Sequence, residues 1–126
     1  MKKFFALAFV VFLCGACAIP FQGGPGKEEM DKADFGPSPV GFETLMREWL
    51  RNNLKDYDSA KIEGFTEPMK SWWGNTGALL VPREINFSWM VSVRINAKNA
   101  FGAYVGWKVY QFHFRDGKIQ HVFYTE

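Results

Sequence analysis

The sequence predicts an α+β domain in which one amphipathic N-terminal helix packs on an antiparallel sheet of about four strands. Two patterns carry this prediction. Apolar residues recur with the helical period between residues 39 and 54, and apolar and polar residues alternate over residues 87–97. The chain has 126 residues, which is enough for one domain with a modest core. We expect that domain to occupy residues 39–126, behind a signal peptide and a tether.

Residues 1–16 are predicted to be a bacterial signal peptide. Lys2 and Lys3 give it a positive start, and residues 4–13 are free of charge. This apolar run is too short to span a membrane, because a spanning helix needs roughly 20 residues. The chain is therefore expected to be exported and to work outside the cytoplasm.

The end of the signal resembles the lipobox of bacterial lipoproteins, because Gly15 and Ala16 precede Cys17. Cys14 stands where that motif usually has leucine. The resemblance implies that Cys17 carries lipid, with acyl chains such as palmitate. It also implies that Ala18 directs the protein to the outer membrane, facing the periplasm. Cleavage after Ala18, which would release a soluble periplasmic protein, is the alternative.

A flexible tether, beginning at the lipid-attachment cysteine, is predicted over residues 17–38. This segment is rich in Gly, Pro and charged residues and shows no periodicity. Such a composition offers no apolar face to bury. We therefore expect the segment to be disordered in the mature protein.

The helix is predicted to begin at Ser38 and Pro39, because Ser caps helices and Pro is favoured at the first helical position. Its apolar stripe covers about half of the helix surface. The residues of this stripe are Phe42, Leu45, Met46, Trp49, Leu50 and Leu54. We expect Trp49 and Leu50 to hold the helix on the sheet.

Four strands are predicted from the alternating patterns that follow the helix. A short strand covers residues 61–66, and longer strands cover residues 87–97, 104–115 and 118–124. Asp116-Gly117, between the last two strands, predicts a two-residue hairpin turn of type I′, since both positions of that turn need a positive φ. We interpret the four strands as one antiparallel sheet.

Residues 67–85 are predicted to be a long loop or a loose hairpin, because proline and glycine interrupt them repeatedly. Trp72 and Trp73 lie in this stretch. Adjacent tryptophans in a loop cannot easily both be buried, so one of them is a candidate anchor for a ligand or partner. Filling of the core is the alternative role.

A second candidate binding site lies between two predicted strands. Asn96, Lys98, Asn99 and Tyr104 can present a polar edge to a ligand or partner. The alternative is a plain hairpin connection in which asparagine side chains satisfy the backbone of the turn.

The two histidines of the chain, His113 and His121, decide whether the folded body can hold a metal, because it contains no cysteine. A two-residue turn places His113 opposite Gln120 and His121 opposite Phe112, on opposite faces of the sheet. A three-residue loop would set the two imidazoles face to face. The two-residue turn therefore predicts that the two histidines form no metal site, and we expect the domain to hold no cofactor.

No established catalytic motif occurs in the chain, so we expect the protein not to be an enzyme. The alternative is an enzyme that acts on an envelope polymer, for which Asp56, Asp58 and His113 are the residues to suspect. Closely spaced aspartates are also common in the turn that follows a helix.

Two segments resemble a family of small, uncharacterised exported proteins of proteobacteria. They are LKDYDSAKI at residues 54–62 and INAKNAFGAYVGWK at residues 95–108. The resemblance implies a shared small domain. It implies no activity and no catalytic residues.

The charge balance bears on the kind of partner. Of 15 basic residues, Lys2 and Lys3 belong to the signal, which leaves 13 against 13 acidic residues. This balance argues against nucleic acid as a partner.

The sequence predicts a non-enzymatic, lipid-anchored envelope protein that binds a protein or another envelope component. A second alternative is a small-ligand carrier with an aromatic pocket lined by Trp89, Trp107 and Phe112.

Overall fold

A computed structural model describes residues 23–125 of the chain. The predicted signal peptide and Cys17 lie outside the described residues. Within them the fold is α+β, as predicted, with two helices and a five-stranded antiparallel sheet. Neither helix between residues 23 and 125 has the length and apolar character to cross a membrane.

The helices come first and the strands follow. The helices are α1 (Lys27–Lys32) and α2 (Phe42–Asn53), and the strands are β1 (Lys61–Glu63), β2 (Met69–Asn75), β3 (Glu84–Lys98), β4 (Tyr104–Arg115) and β5 (Lys118–Tyr124). The sheet runs in the order β1-β3-β4-β5. Strand β2 pairs with the same edge of β3 as β1, farther along that edge. Every pair is antiparallel.

Helix α2 covers one face of the sheet, which we call the helix face. Met46 and Leu50 project from α2 and are completely buried against it. Alternate residues of β3 and β4 complete this core: Val91, Val93, Ile95, Phe112 and Phe114. Trp49 packs edge-to-face on Phe112, with ring centroids 5.2 Å apart, but is only partly buried. Met46 and Leu50 therefore form the centre of the contact, rather than Trp49.

The helix α2 begins later than predicted. Its first residue is Phe42, and its N-cap is Gly41, with φ of 66°. Gly41 adopts this left-handed conformation at no steric cost, so the chain turns into the helix there and not at Ser38. The predicted start at Ser38 and Pro39 is wrong by three residues.

Phe35 anchors the segment that precedes α2. Its side chain is 3% exposed and packs edge-to-face on two aromatic rings of β3. The ring centroids lie 5.5 Å from Phe87 and 6.3 Å from Trp89. The indole nitrogen of Trp89 also donates a hydrogen bond of 3.1 Å to the carbonyl of Gly36.

Arg115 at the end of β4 holds the same segment by its polar groups. Its guanidinium donates to the backbone carbonyl of Asp34 and, at 3.2 Å, to the Asp34 carboxylate. Together with the short helix α1, these contacts fold residues 26–38 onto the domain. The prediction of a flexible tether over residues 17–38 is wrong for these residues, because one buried phenylalanine outweighs a Gly- and Pro-rich composition.

The irregular stretch over residues 67–85 forms a hairpin, which was one of its two predicted forms. Strand β2 pairs with β3 from Met69 opposite Met90 to Asn75 opposite Glu84. Gly74 explains why the pattern is hard to read, because its φ is 139° and a Cβ there would lie 2.0 Å from the carbonyl oxygen of Glu84. A glycine that weakens the strand pattern is required by the close approach of the two backbones.

Candidate functional site

The face of the sheet opposite α2 is concave. Trp73 on β2 stacks on His121 on β5, with ring centroids 4.7 Å apart and planes inclined by 8°. Strands β3 and β4 lie between them, so in a flat sheet the outer strands would be about 14 Å apart. The sheet therefore coils and brings β2 and β5 together over this face, which we call the concave face.

A buried polar pair lies on the concave face. His113 is 2% exposed, and its Nδ1 lies 2.8 Å from the hydroxyl of Ser88, which is fully buried. The ring of Phe123 contacts His113 edge-to-face, with centroids 5.5 Å apart. Burial, with a smaller contribution from nearby His121, lowers the pKa of His113 to about 4. The imidazole is therefore neutral at neutral pH.

The turn between β4 and β5 forms as predicted. Asp116 and Gly117 are its two central residues, with φ of 51° and 74°. Arg115 pairs with Lys118 across it. Positive φ at both positions is what a type I′ turn requires.

The register beyond this turn differs from the prediction. Phe114 pairs with Ile119, but the next pair is His113 with His121, so Gln120 is an extra residue in β5. This β-bulge sets both histidines on the concave face. The prediction that they occupy opposite faces is wrong, and the cause is the bulge rather than a three-residue loop.

Directly opposite histidines do not make a metal site by themselves. Within residues 23–125, no group of three or more His, Cys, Asp or Glu side chains is placed to hold a metal ion. The described contacts instead engage His121 with Trp73 and His113 with Ser88. That the domain binds no metal stays a prediction.

An open groove of about 410 Å³ runs along the concave face. Aromatic and aliphatic side chains supply most of its lining: Trp73, Met90, Val109, Phe123 and Tyr124. Ser71, Gln111 and His113 add polar groups. No residue that lines the groove carries a charge at neutral pH, since His113 is neutral there. Such a lining suits an uncharged, largely apolar ligand that a few hydrogen bonds orient.

The structure separates the two adjacent tryptophans, which both lie in β2 and not in a loop. Neighbouring residues of a strand point to opposite faces. Trp73 lies on the concave face, and the ring of Trp72 lies against Gly24 in the N-terminal segment. Both are partly buried, and both border the groove described above. Trp73 is thus the member of the pair whose ring belongs to the concave face.

The predicted polar edge forms the connection between β3 and β4. The Asn99 side chain accepts hydrogen bonds from the backbone N–H groups of Phe101 and Ala103, at 2.9 and 3.2 Å. The Asn96 side chain accepts one from the Gly106 N–H at 3.1 Å. The asparagines therefore satisfy the backbone, as the alternative interpretation expected.

Tyr104 and Lys98 lie at the same end of the sheet. The Tyr104 hydroxyl donates to the carbonyl of Ser59 at 2.8 Å, and the Lys98 ammonium lies 5.4 Å from the Tyr104 ring centroid. A hollow of about 280 Å³ borders Lys98 and Asn99. The role of Asn96, Lys98, Asn99 and Tyr104 in binding stays a prediction, and none of them lines the groove.

The aromatic pocket predicted for a ligand carrier does not form from the expected residues. Trp89 and Phe112 belong to the helix face, where they pack with the core around α2. Trp107 pairs with Asn96 and lies on the concave face, where the Arg94 guanidinium stands 4.9 Å from the centroid of its ring. The groove uses different aromatic residues.

The suspected catalytic residues are not brought together. Asp56 lies in the turn after α2, where hydrogen bonds from Ser59 lower the pKa of its carboxyl. The positive charge of Lys98 also lowers the pKa of Asp56, so these two residues are close to each other. Lys98 is the last residue of β3, several positions beyond Met90, which pairs with His113. Asp56, Asp58 and His113 therefore share no site.

Several residues of the groove escaped sequence analysis. Met90, Gln111 and Phe123 line it, and no motif or spacing in the sequence points to them. Alternation in the sequence places Met90 on the face away from the core, and only the coiling of the sheet covers that face.

Comparisons with protein-family models, with curated protein sequences and with solved structures find no match to this chain. The resemblance to small exported proteins of proteobacteria stays a prediction. The function is therefore inferred from the groove and its chemistry.

Proposed function

We propose that this protein is a lipid-anchored binding protein of the cell envelope whose groove holds an uncharged, largely apolar ligand. The observation that carries the proposal is the groove of about 410 Å³, whose lining combines aromatic and aliphatic side chains with no charged group. The lipobox-like sequence before Cys17 supports attachment to the outer membrane. The balance of basic and acidic residues argues against nucleic acid as the ligand.

The side chains that line the groove can adjust to the shape of a ligand and can also fix its orientation. Met90 is flexible and polarizable, so it can adjust to ligands of different shape. Trp73 and Phe123 offer broad aromatic surfaces. Gln111 and Ser71 can fix the orientation of a polar group on the ligand by hydrogen bonding.

Binding is favoured over catalysis by the state of the buried pair. The Ser88 hydroxyl has no exposed surface, so it cannot reach a substrate as a nucleophile. A His113 with a pKa of about 4 is a weak general base at neutral pH. The pair is therefore assigned to structure, where it satisfies two polar groups on the concave face.

Titration with N-phenyl-1-naphthylamine, an uncharged aromatic probe, tests the groove. All the contacts described above lie within residues 23–125, so a chain that begins at Ala18 keeps them. Ser71→Phe fills the groove from β2 and is expected to weaken saturable probe binding at least fivefold. Lys70→Phe adds the same ring at the neighbouring position of β2, which points to the opposite face and lies outside the lining, and is the matched control.

Two outcomes would refute the groove as a binding site. The parent could fail to show saturable binding of the probe. Alternatively, Ser71→Phe and Lys70→Phe could bind it equally well, while circular dichroism shows both variants folded.

The anchor is tested separately in cells. Metabolic labelling with an alkyne fatty acid should mark the parent protein and leave Cys17→Ser unlabelled, because lipoprotein acylation depends on that cysteine. Equal labelling of both proteins would refute attachment at Cys17. Recovery of the unlabelled parent in the periplasmic extract would support cleavage after Ala18 instead.

A further inference from the structure

The tip of the hairpin between β2 and β3 is apolar and exposed. Ala78 and Val81 close it with two backbone hydrogen bonds of 2.9 and 3.1 Å, so Leu79 and Leu80 are its central residues. Their side chains are 73% and 92% exposed. Glycine, asparagine, aspartate and proline are the usual residues of such turns. Two consecutive exposed leucines in a tight turn contribute nothing to the core, which points to a role outside the domain.

The start of the described chain is held beside this tip. Arg83 donates a hydrogen bond of 3.1 Å to the carbonyl of Gly23, and its guanidinium makes two bonds of 2.9 Å to the Glu29 carboxylate. Leu80 is three residues from Arg83, which places their Cα atoms within about 11 Å of each other. Gly23 is therefore fixed close to the base of the apolar tip.

Few residues separate this position from Cys17. Five residues lie between Cys17 and Gly23, and six Cα steps can span at most about 22 Å. A lipid on Cys17 would thus keep the Gly23 end of the domain near the bilayer surface. The apolar tip lies at that same end.

A second exposed apolar tip provides the contrast. Phe101 is 93% exposed in the connection between β3 and β4. The Leu80 tip lies before β3 and the Phe101 tip lies after it. The fourteen residue steps from Glu84 to Lys98 would separate the two ends of a straight strand by about 45 Å. Because the linker from Cys17 is short, a lipid on Cys17 would hold the Leu80 tip, rather than the Phe101 tip, near the bilayer.

We propose that Leu79 and Leu80 insert into the lipid surface to which Cys17 is attached, as a second point of contact that orients the domain. This inference rests on the proposed lipid at Cys17. Trp73 and Gly74 lie on the strand that leads into the tip, so the insertion turns the β2 end of the groove toward the bilayer, while Val109 lies farther along the sheet. An apolar ligand can then pass between the bilayer and the groove over a short distance.

Fluorescence quenching in vesicles tests the insertion in the full lipidated protein. Once the signal is removed and Cys17 carries lipid, the chain has no free thiol, so Leu80→Cys provides a single site for a nitrobenzoxadiazole fluorophore. Phe101→Cys, labelled in the same way, is the matched control. In vesicles of phosphatidylethanolamine and phosphatidylglycerol that contain doxyl lipid, we expect at least threefold stronger quenching at position 80 than at position 101.

Each outcome decides one point. Equal quenching at the two positions, or none at position 80, in protein whose intact mass includes the acyl groups would overturn insertion of the tip and leave the anchor standing. An intact mass without acyl groups would overturn the anchor, and insertion beside that anchor would fall with it. A Leu79→Ser change in the Leu80→Cys protein should reduce the quenching, because it removes half of the apolar tip.

Discussion

Acid should weaken the fold through His113. In the folded protein the pKa of this imidazole is lowered to about 4 from an ordinary value of 6.5, chiefly by burial. Between these two values the unfolded chain binds a proton that the folded protein does not. The free energy of unfolding must therefore decrease as the pH falls from 6.5 to 4.

The size of the effect follows from the same two values. A difference of 2.5 pKa units corresponds to about 3 kcal/mol when the whole interval has been crossed. By pH 5, before most carboxylates titrate, the loss should reach about 2 kcal/mol. This is a large fraction of the roughly 5–15 kcal/mol by which small domains are stable.

Urea unfolding of the chain from Ala18, followed by tryptophan fluorescence at pH 7.5, 6.5, 5.8 and 5.0, measures this loss. His113→Gln can keep a hydrogen bond to Ser88 but cannot titrate, so its unfolding free energy should change little over the same interval. His121→Gln is the control that retains His113 and should keep most of the pH dependence. A parent protein equally stable at pH 7.5 and pH 5, or a His113→Gln variant with the parent's slope, would show that His113 does not make stability depend on pH.

Three further changes test the packing. Leu50→Ala removes a fully buried side chain and should cost about 2–5 kcal/mol in urea unfolding, whereas the exposed Val40→Ala should cost less than about 0.5 kcal/mol. Phe35→Ala should cost about 3–5 kcal/mol and speed trypsin cleavage after Lys32, because it loosens the segment that carries this exposed side chain. A parent cleaved as fast as the variant would show that the segment does not pack. Gly74→Ala places a Cβ against the carbonyl of Glu84 and should lower stability by at least about 2 kcal/mol, which thermal unfolding would show as a lower Tm.

Periodicity in the sequence predicts the parts of this fold whose residues bury one face. The stripe containing Met46 and Leu50 identifies α2, and the alternation through Val91 and Val93 identifies β3. The pair Asp116-Gly117 identifies the last hairpin because its backbone geometry is local. These elements are decided by nearby residues, so sequence reasoning finds them.

The parts that sequence reasoning missed depend on distant contacts. Phe35 is one aromatic residue in a polar segment, and only the facing rings of β3 make it a core residue. The extra residue Gln120 carries no local signal of a bulge, yet it moves His121 to the face of His113. The groove arises from the coiling of the whole sheet, which no short pattern encodes.

Methyl NMR of methionine can show directly whether the concave groove binds an apolar ligand. Met90 lines the groove, whereas Met46 is fully buried on the helix face, so the two report on opposite sides of the sheet. In ¹³C-methyl-methionine protein titrated with N-phenyl-1-naphthylamine, the Met90 methyl signal should shift to saturation while the Met46 signal stays in place. An unmoved Met90 signal, or a Met46 shift as large as that of Met90, would contradict binding in the groove.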